Sequence, residues 1–238
     1  QSTIVSVDGC NWEIHSKTGT VSLSAIKRVW LRRAFVEVAL EDTVETDVDF
    51  KIWRAEWNKT LAGMYLALSH AQWLNPIREA FRAENKYLQM YEAKKIGLHI
   101  PDTFISNHKE KLIQFAEMHG DVALKLMSQD LYVEASGSVK GIYVNKLRAD
   151  HLLNFSDYSE NPVVLQKYVD KLFEVRYTVI GNNHHVCRID SQSSIKASID
   201  WRRYDIPRTP HSVIEPTDDV RLKVTELMHT LGLEFGAL

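Results

Sequence analysis

Cysteine is scarce: Cys10 and Cys187 are the only two in 238 residues, far apart and at no metal-ligand spacing. That excludes a disulfide-held scaffold and leaves two small thiols compatible with a reducing cytoplasm. A surplus of positive charge is missing as well. Twenty-nine Lys and Arg stand against 31 Asp and Glu, for a formal net charge of −2. No basic excess exists to displace counterions from a nucleic acid, so a general nucleic-acid binder is excluded. No apolar run approaches the roughly 20 residues of a membrane-spanning helix. Internal repeats and low-complexity tracts are absent too, which removes the repeat architectures. What remains is the composition of an ordinary soluble globular protein, 45% hydrophobic and 25% charged. The length allows a sizeable core and exceeds one average domain.

Along the chain, residues 1–40 read as short strands: TIVSV, WEIHS and VWLRRAFVEV, separated by DGCN and KTGT turns. From Phe50 the period changes. Phe50, Trp53, Trp57, Leu61, Met64 and Leu68 recur at three and four, which predicts one helical stripe facing a core. WLNP (Trp73 to Pro76) breaks it, and Ile77 to Ile96 is expected as a single second helix, ending on Lys94, Lys95 and Gly97. A strand TFISN, a helix from His108 to about His119 closed by Gly120, and a strand VALKLM follow. IYVNKL, PVVLQKYV, EVRYTVIG and HHVCRIDS then read as strands, the last two joined by a turn at Asn182-Asn183. A final helix from about Thr217 turns Val220, Val224, Leu227, Met228 and Leu231 inward and stops at Gly232. The fold class is therefore α/β or α+β in three pieces. Both ends look like cuts within a longer protein.

Some residues ask for chemistry. Lys125 sits between apolar residues in VALKLM; it is either compensated by an anion or an edge-strand lysine snorkelling outward. Lys86, in ENKYLQM, reads by itself as a solvated helix charge. Glu174 and Arg176, two apart on a strand, share a face. Such a pair is either a cross-strand ion pair or, beside the extended segment Gln166 to Val169, a contact to a ribose and a phosphate. Asp200, Arg202 and Arg203 stand in a polar stretch outside regular periodicity. A carboxylate and a guanidinium two apart could act as base and oxyanion clamp, or simply form a surface turn. The His184-His185 pair reads as solvated or packed, and the six tryptophans as core.

Taken in order, WLRR, WLNP, ENKYLQMYEAKKIGLHIPDTFISN, VALKL, QKYVDKLFEVRYTVIG, DWR and LGLEFGA resemble the ATP-grasp ligases that mature graspetides such as microviridins. The resemblance runs from about Val29 to the last residue; the first forty residues carry it less distinctly. It implies an α+β ATP-grasp fold with an N-terminal pre-ATP-grasp domain over 1–76, a central domain over 77–127 and the grasp domain over 128–238. It implies ATP and Mg2+ as cofactors. Lys86 and Lys125 would hold phosphates, and Gln166, Lys167, Tyr168 and Val169 would form the hinge along adenine. Lys171 or Glu174 would lie near the ribose, and Arg176 would reach the phosphates. Arg202 would hold the carboxylate being activated, while Asp200 orients or deprotonates the nucleophile. Ser136 and Gly137 fall where the family has a loop over the phosphates. Metal ligands are expected only beyond Leu238.

The implied reaction activates an Asp or Glu side chain of a ribosomal precursor peptide, recognised through leader and core, and closes an ester or amide. The implied setting is cytoplasmic, with neither nucleic acid nor membrane as a partner and a homodimer as an open option. Two other readings stand beside it: an amino-acid ligase acting on a protein terminus or small molecule, and a non-catalytic nucleotide- or leader-binding module.

Overall fold

A computed structural model describes residues 4–9, 11–30, 48–127, 131–133, 139–141, 144–154, 161–203 and 208–238. Cys10, Ser136 and Gly137 lie outside them, as does most of the VWLRRAFVEV segment. The chain divides into two compact units, one formed by Gln1–Gln89 with Met228–Phe235 and the other by Met90–Leu227 with Gly236–Leu238.

In the first unit, β1 (Ile4–Asp8), β2 (Asn11–Ser16) and β3 (Gly19–Ser22) form an antiparallel meander. The long helix α1 (Val48–Ala67) follows the predicted three-four spacing. Gly63 on it has a reason: a Cβ there would meet the Trp12 ring at 3.0 Å, so the missing side chain lets the indole lie against the helix. The expectation that the stripe and the tryptophans are core does not hold. Trp53 is 44% exposed and Trp30 65% exposed, and of the described stripe residues only Leu68 is buried. Ile52, Trp53 and Trp57 instead line an open groove with Val5, Asp49, Glu56 and Thr60. Tryptophan periodicity reports a helix face; it does not report what covers that face.

β4 (Arg28–Trp30) and β5 (Gln72–Leu74) then pair in parallel. Past β5, Asn75 uses its whole amide on a distant segment. Its Oδ1 accepts from the Glu234 and Phe235 amides at 2.8 and 2.7 Å, and its Nδ2 donates to the Phe235 carbonyl at 2.7 Å. The single helix expected over 77–96 is two, α2 (Ile77–Ala83) and α3 (Lys86–Lys95). Asn85 causes the break: its Oδ1 accepts from the Tyr87 and Leu88 amides, the orphan donors of a new helix start. Gly97 closes α3 at φ 85°, as its position in sequence predicts.

The second unit holds two four-stranded sheets. The first has the order β10 (Asn145–Leu147), β7 (Val122–Lys125), β11 (Val163–Lys167), β6 (Thr103–Ser106), antiparallel throughout. Against it pack α4 (Lys109–His119), closed by Gly120 at φ 75°, and the short α5 (Ala149–Leu153), which sequence periodicity missed. Leu112, Ala116, Val122, Leu152 and Leu165 form its buried centre. The second sheet runs β14 (His211–Ile214), β13 (Asn183–Ile189), β12 (Glu174–Ile180), β15 (Phe235–Ala237). β12 and β13 pair in full register from Glu174↔Ile189 to Ile180↔Asn183. The turn is therefore Gly181-Asn182, one residue earlier than expected, because only the glycine takes φ 56° without cost. The edge strand β14, four residues of HSVI, was also not anticipated. The last helix, α6 (Asp218–Thr230), buries Val224, Leu227 and Met228, with Leu231 just beyond it, as predicted.

Candidate nucleotide and carboxylate site

β11 is central, so the backbone of Gln166 is paired on both sides, with Thr103 and with Ala123. Its backbone thus lies within the sheet, between two strands. Its side chain is 8% exposed and takes another part: Lys125 Nζ donates to Gln166 Oε1 at 2.6 Å, and Gln166 Nε2 donates to Thr103 Oγ1 at 2.8 Å. Thr103 in turn donates to the Pro101 carbonyl. Lys125 itself is exposed, because β7 ends on it. Lys125, either compensated or snorkelling by its sequence, is thus a cation at the end of β7 whose ammonium bonds the neutral amide of Gln166.

Beyond Gln166 the hinge amides are accounted for one by one. Lys167 N–H donates to the Asp102 carbonyl at 2.8 Å and Tyr168 N–H to the Asp121 carbonyl at 3.0 Å. Among the described residues the next amide, Val169 N–H, has no such acceptor. The Tyr168 ring is held by Lys146, whose Nζ lies 4.2 Å from its centroid and 2.8 Å from Asp121. Their hydrogen bond, together with mutual attraction, raises the Lys146 pKa and lowers that of Asp121. Sequence reasoning missed Lys146 and Asp121; an isolated lysine in IYVNKL carries no signal of its own.

On β12, Glu174 and Arg176 share one face, while Tyr177 and Val179 are buried. They are not an ion pair: Glu174 sits 2.9 Å from Lys171 Nζ instead. That contact is off the hydrogen-bonding direction, so Glu174 Oε1, although buried, lacks a hydrogen-bond donor. Lys171 also donates to the Ile199 carbonyl at 2.8 Å. Arg176 is exposed on the same face.

Asp200 and Arg202 are paired with each other. Asp200 is 3% exposed and accepts from Arg202 Nε at 2.9 Å, Arg202 Nη2 at 2.6 Å, the Arg202 amide at 3.1 Å and the Val144 amide at 3.3 Å. Burial pushes its carboxyl up, but the hydrogen bonds and charge of Arg202 and the Val144 amide outweigh it, and the net shift is downward. A carboxylate so engaged is a poor base and a good anchor. An Asp directly before a 3-10 turn, accepting from the amide two residues on, is a legible sequence signal for this geometry. The Arg203 side chain lies outside the described residues. Lys86 opens α3, half-buried, beside Glu84, whose carboxyl is raised by burial and lowered in part by the Lys86 charge.

No protein-family model matches the chain, and a search of curated proteins also finds no match. Solved structures do match. A Chryseobacterium gregarium RiPP-associated ATP-grasp ligase, in complex with ADP and a leader and core peptide, superposes with a TM-score of 0.83. It is 26% identical, over 99% of this chain and 71% of that one. The macrocyclase MdnC of Microcystis aeruginosa, bound with precursor peptide MdnA, gives 0.81 at 24% identity, over 99% and 72%. Macrocyclase MdnB from the same organism gives 0.75 at 22%, over 99% and 72%. These matches define the class: the chain has the ATP-grasp ligase fold. Within that class the resemblance is to the graspetide ligases, as the ordered motifs imply.

Proposed function

We propose that this chain is an ATP-dependent carboxylate ligase. It activates Asp or Glu side chains of a ribosomal precursor peptide as acyl phosphates and joins them to hydroxyls or amines as ester or amide cross-links. The observation that carries this reading is the match along 99% of the chain to a ligase holding ADP, a leader and a core peptide. The domains assigned are 1–76 as pre-grasp, 77–127 as central and 128–238 as grasp. The setting is cytoplasmic, with a homodimer as an open option.

ATP fits the residues present, since the buried Glu174 Oε1 lacks the donor that a ribose hydroxyl offers and Val169 N–H is open to a base nitrogen. As co-substrate it supplies the phosphoryl group that converts a poor oxide leaving group into phosphate. The chain's own residues bind and orient. Val169 and the Tyr168 carbonyl region receive adenine, Lys171 or Glu174 the ribose, and Lys125 and Arg176 the phosphate oxygens, whose charge must be offset as the phosphoryl group moves. Gln166 and Lys167 shape the hinge from inside β11. Among the described residues no three acidic, histidine or cysteine side chains gather, and no step is assigned to residues around Mg2+. Arg202, gripped on one edge by Asp200, is the guanidinium assigned to the substrate carboxylate. Asp200 acts by orientation, since its lowered pKa disfavours proton uptake.

The test is mass spectrometry of a co-expressed precursor, which should lose one water per cross-link. Arg202→Ala should keep ADP affinity and lower turnover by orders of magnitude, about 3 kcal/mol of transition-state stabilisation. Equal losses of ADP affinity and turnover would move Arg202 into the nucleotide site and remove the peptide assignment.

A further inference from the structure

Lys171 touches both halves of the candidate site. Its ammonium lies 2.9 Å from Glu174 Oε1 on β12 and donates at 2.8 Å to the carbonyl of Ile199. Ile199 immediately precedes Asp200, whose carboxylate closes on Arg202 and on the Val144 amide. A continuous series of contacts therefore runs from Glu174 through Lys171 and the 199–200 peptide to the Arg202 guanidinium. The segment it enters has little regular structure of its own, only short 3-10 turns at Ser191–Ser193 and Trp201–Arg203. Such a stretch needs side chains from elsewhere to fix it. The Lys171 and Glu174 side chains are 20% and 22% exposed, so their attraction is partly shielded from water.

We infer that Lys171 is a positioning residue through which nucleotide binding at Glu174 sets the segment that carries Asp200 and Arg202. This rests on the nucleotide reading proposed above. In the free protein Glu174 Oε1 is buried and lacks a hydrogen bond, so the carboxylate is held by charge alone and not by direction. A ribose hydroxyl would donate to that oxygen and fix the carboxylate. The ammonium, held between two oxygens, would then be fixed too, and with it the Ile199 carbonyl. The Arg202 clamp would be set only when nucleotide is present, so the carboxylate to be activated would be gripped after ATP and not before. That order protects the enzyme from holding a peptide it cannot activate.

Hydrogen–deuterium exchange of the intact chain, with and without saturating MgADP, tests this. In the native protein the amides of residues 195–203 should slow at least severalfold on MgADP addition. Compared at MgADP concentrations that saturate each protein by calorimetry, Lys171→Gln should lose that slowing; Lys171→Arg, which keeps the charge and the donors, should retain most of it. Glu174→Gln attacks the same link from its other end and should lose the slowing too, which covers a Lys171→Gln chain that fails to fold. Native-like slowing in Lys171→Gln or Glu174→Gln overturns the inference, as does a native protein that binds MgADP without slowing at 195–203. A native protein that binds no MgADP overturns the nucleotide reading as well, and is told apart by the calorimetry alone.

Discussion

The two sheets of the second unit differ in how they are covered. β11, in the first, has Val164 and Leu165 buried on opposite faces, at 3% and 0% exposure, and is paired along both edges. β12, in the second, alternates: Tyr177 and Val179 are buried, whereas Glu174 and Arg176 keep the other face polar. A strand enclosed on both faces can offer a ligand only its end, which is where Lys125, Gln166 and the hinge amides gather. A strand enclosed on one face can offer a row of side chains. On the proposed reading, a nucleotide would meet a strand end from one sheet and a strand face from the other.

This contrast can be broken first by volume. Leu165→Ala should destabilise the protein by about 2–5 kcal/mol in chemical denaturation, since its surroundings cannot collapse. Val213→Ala, on the exposed edge of the second sheet, should stay within about 0.5 kcal/mol. Similar losses at both positions would mean that the sheets are enclosed alike.

A smaller effect sharpens the roles. Lys125→Met removes a cation at the exposed end of β7, and with it a bond to the neutral amide of Gln166. It should cost about 1.5–3 kcal/mol of ADP affinity, read by calorimetry, with little change in melting temperature. A melting temperature that falls while ADP affinity holds would make Lys125 structural.

The smallest effect belongs to the second sheet alone. His184 links the hairpin to α6, its Nδ1 2.8 Å from Tyr177 Oη and its Nε2 3.2 Å from Thr225 Oγ1. Burial, then the positive charges of Arg221 and His185, lowers its pKa from 6.5; Glu215 also lies within electrostatic reach, acting on Tyr177. The folded state therefore favours neutral imidazole. Its contribution is full above pH 6.5 and is lost as pH falls below that value, because the unfolded chain takes up the proton first. The melting difference between native protein and His184→Gln should shrink on acidification through this range. A difference that does not vary with pH would remove the bridge.

Legibility in the sequence followed the same division. The alternation in EVRYTVIG and HHVCRIDS, the three-four spacing of α6 and the closing glycines 97, 120 and 232 were all readable, because each follows from local geometry. The α+β ATP-grasp architecture was legible through the order of motifs. Less came through where one side chain overrides a pattern, as when Asn85 splits a helix or Gly181 moves a turn by one residue. Least legible were contacts between distant positions. That Lys171 meets a carbonyl 28 residues away, or that the Asp200 carboxylate is spent on Arg202 and Val144, follows from packing that no spacing encodes. Of the two roles that the family implies for Asp200, orienting and deprotonating, its contacts favour the first, and Gln166 is engaged through its side chain as well as its backbone.

The Asn75 amide has a consequence for dissection. Its three hydrogen bonds reach across about 160 positions, so the first unit is assembled from two stretches that are synthesised far apart in time. A fragment ending near Gln89 would carry the amide with no strand to receive it and would be an incomplete unit, whatever its helices do alone. During synthesis the same amide must wait until residues 234 and 235 have left the ribosome. The first unit is in this sense completed only after most of the second has been made, and a nascent chain stalled before Glu234 would expose it.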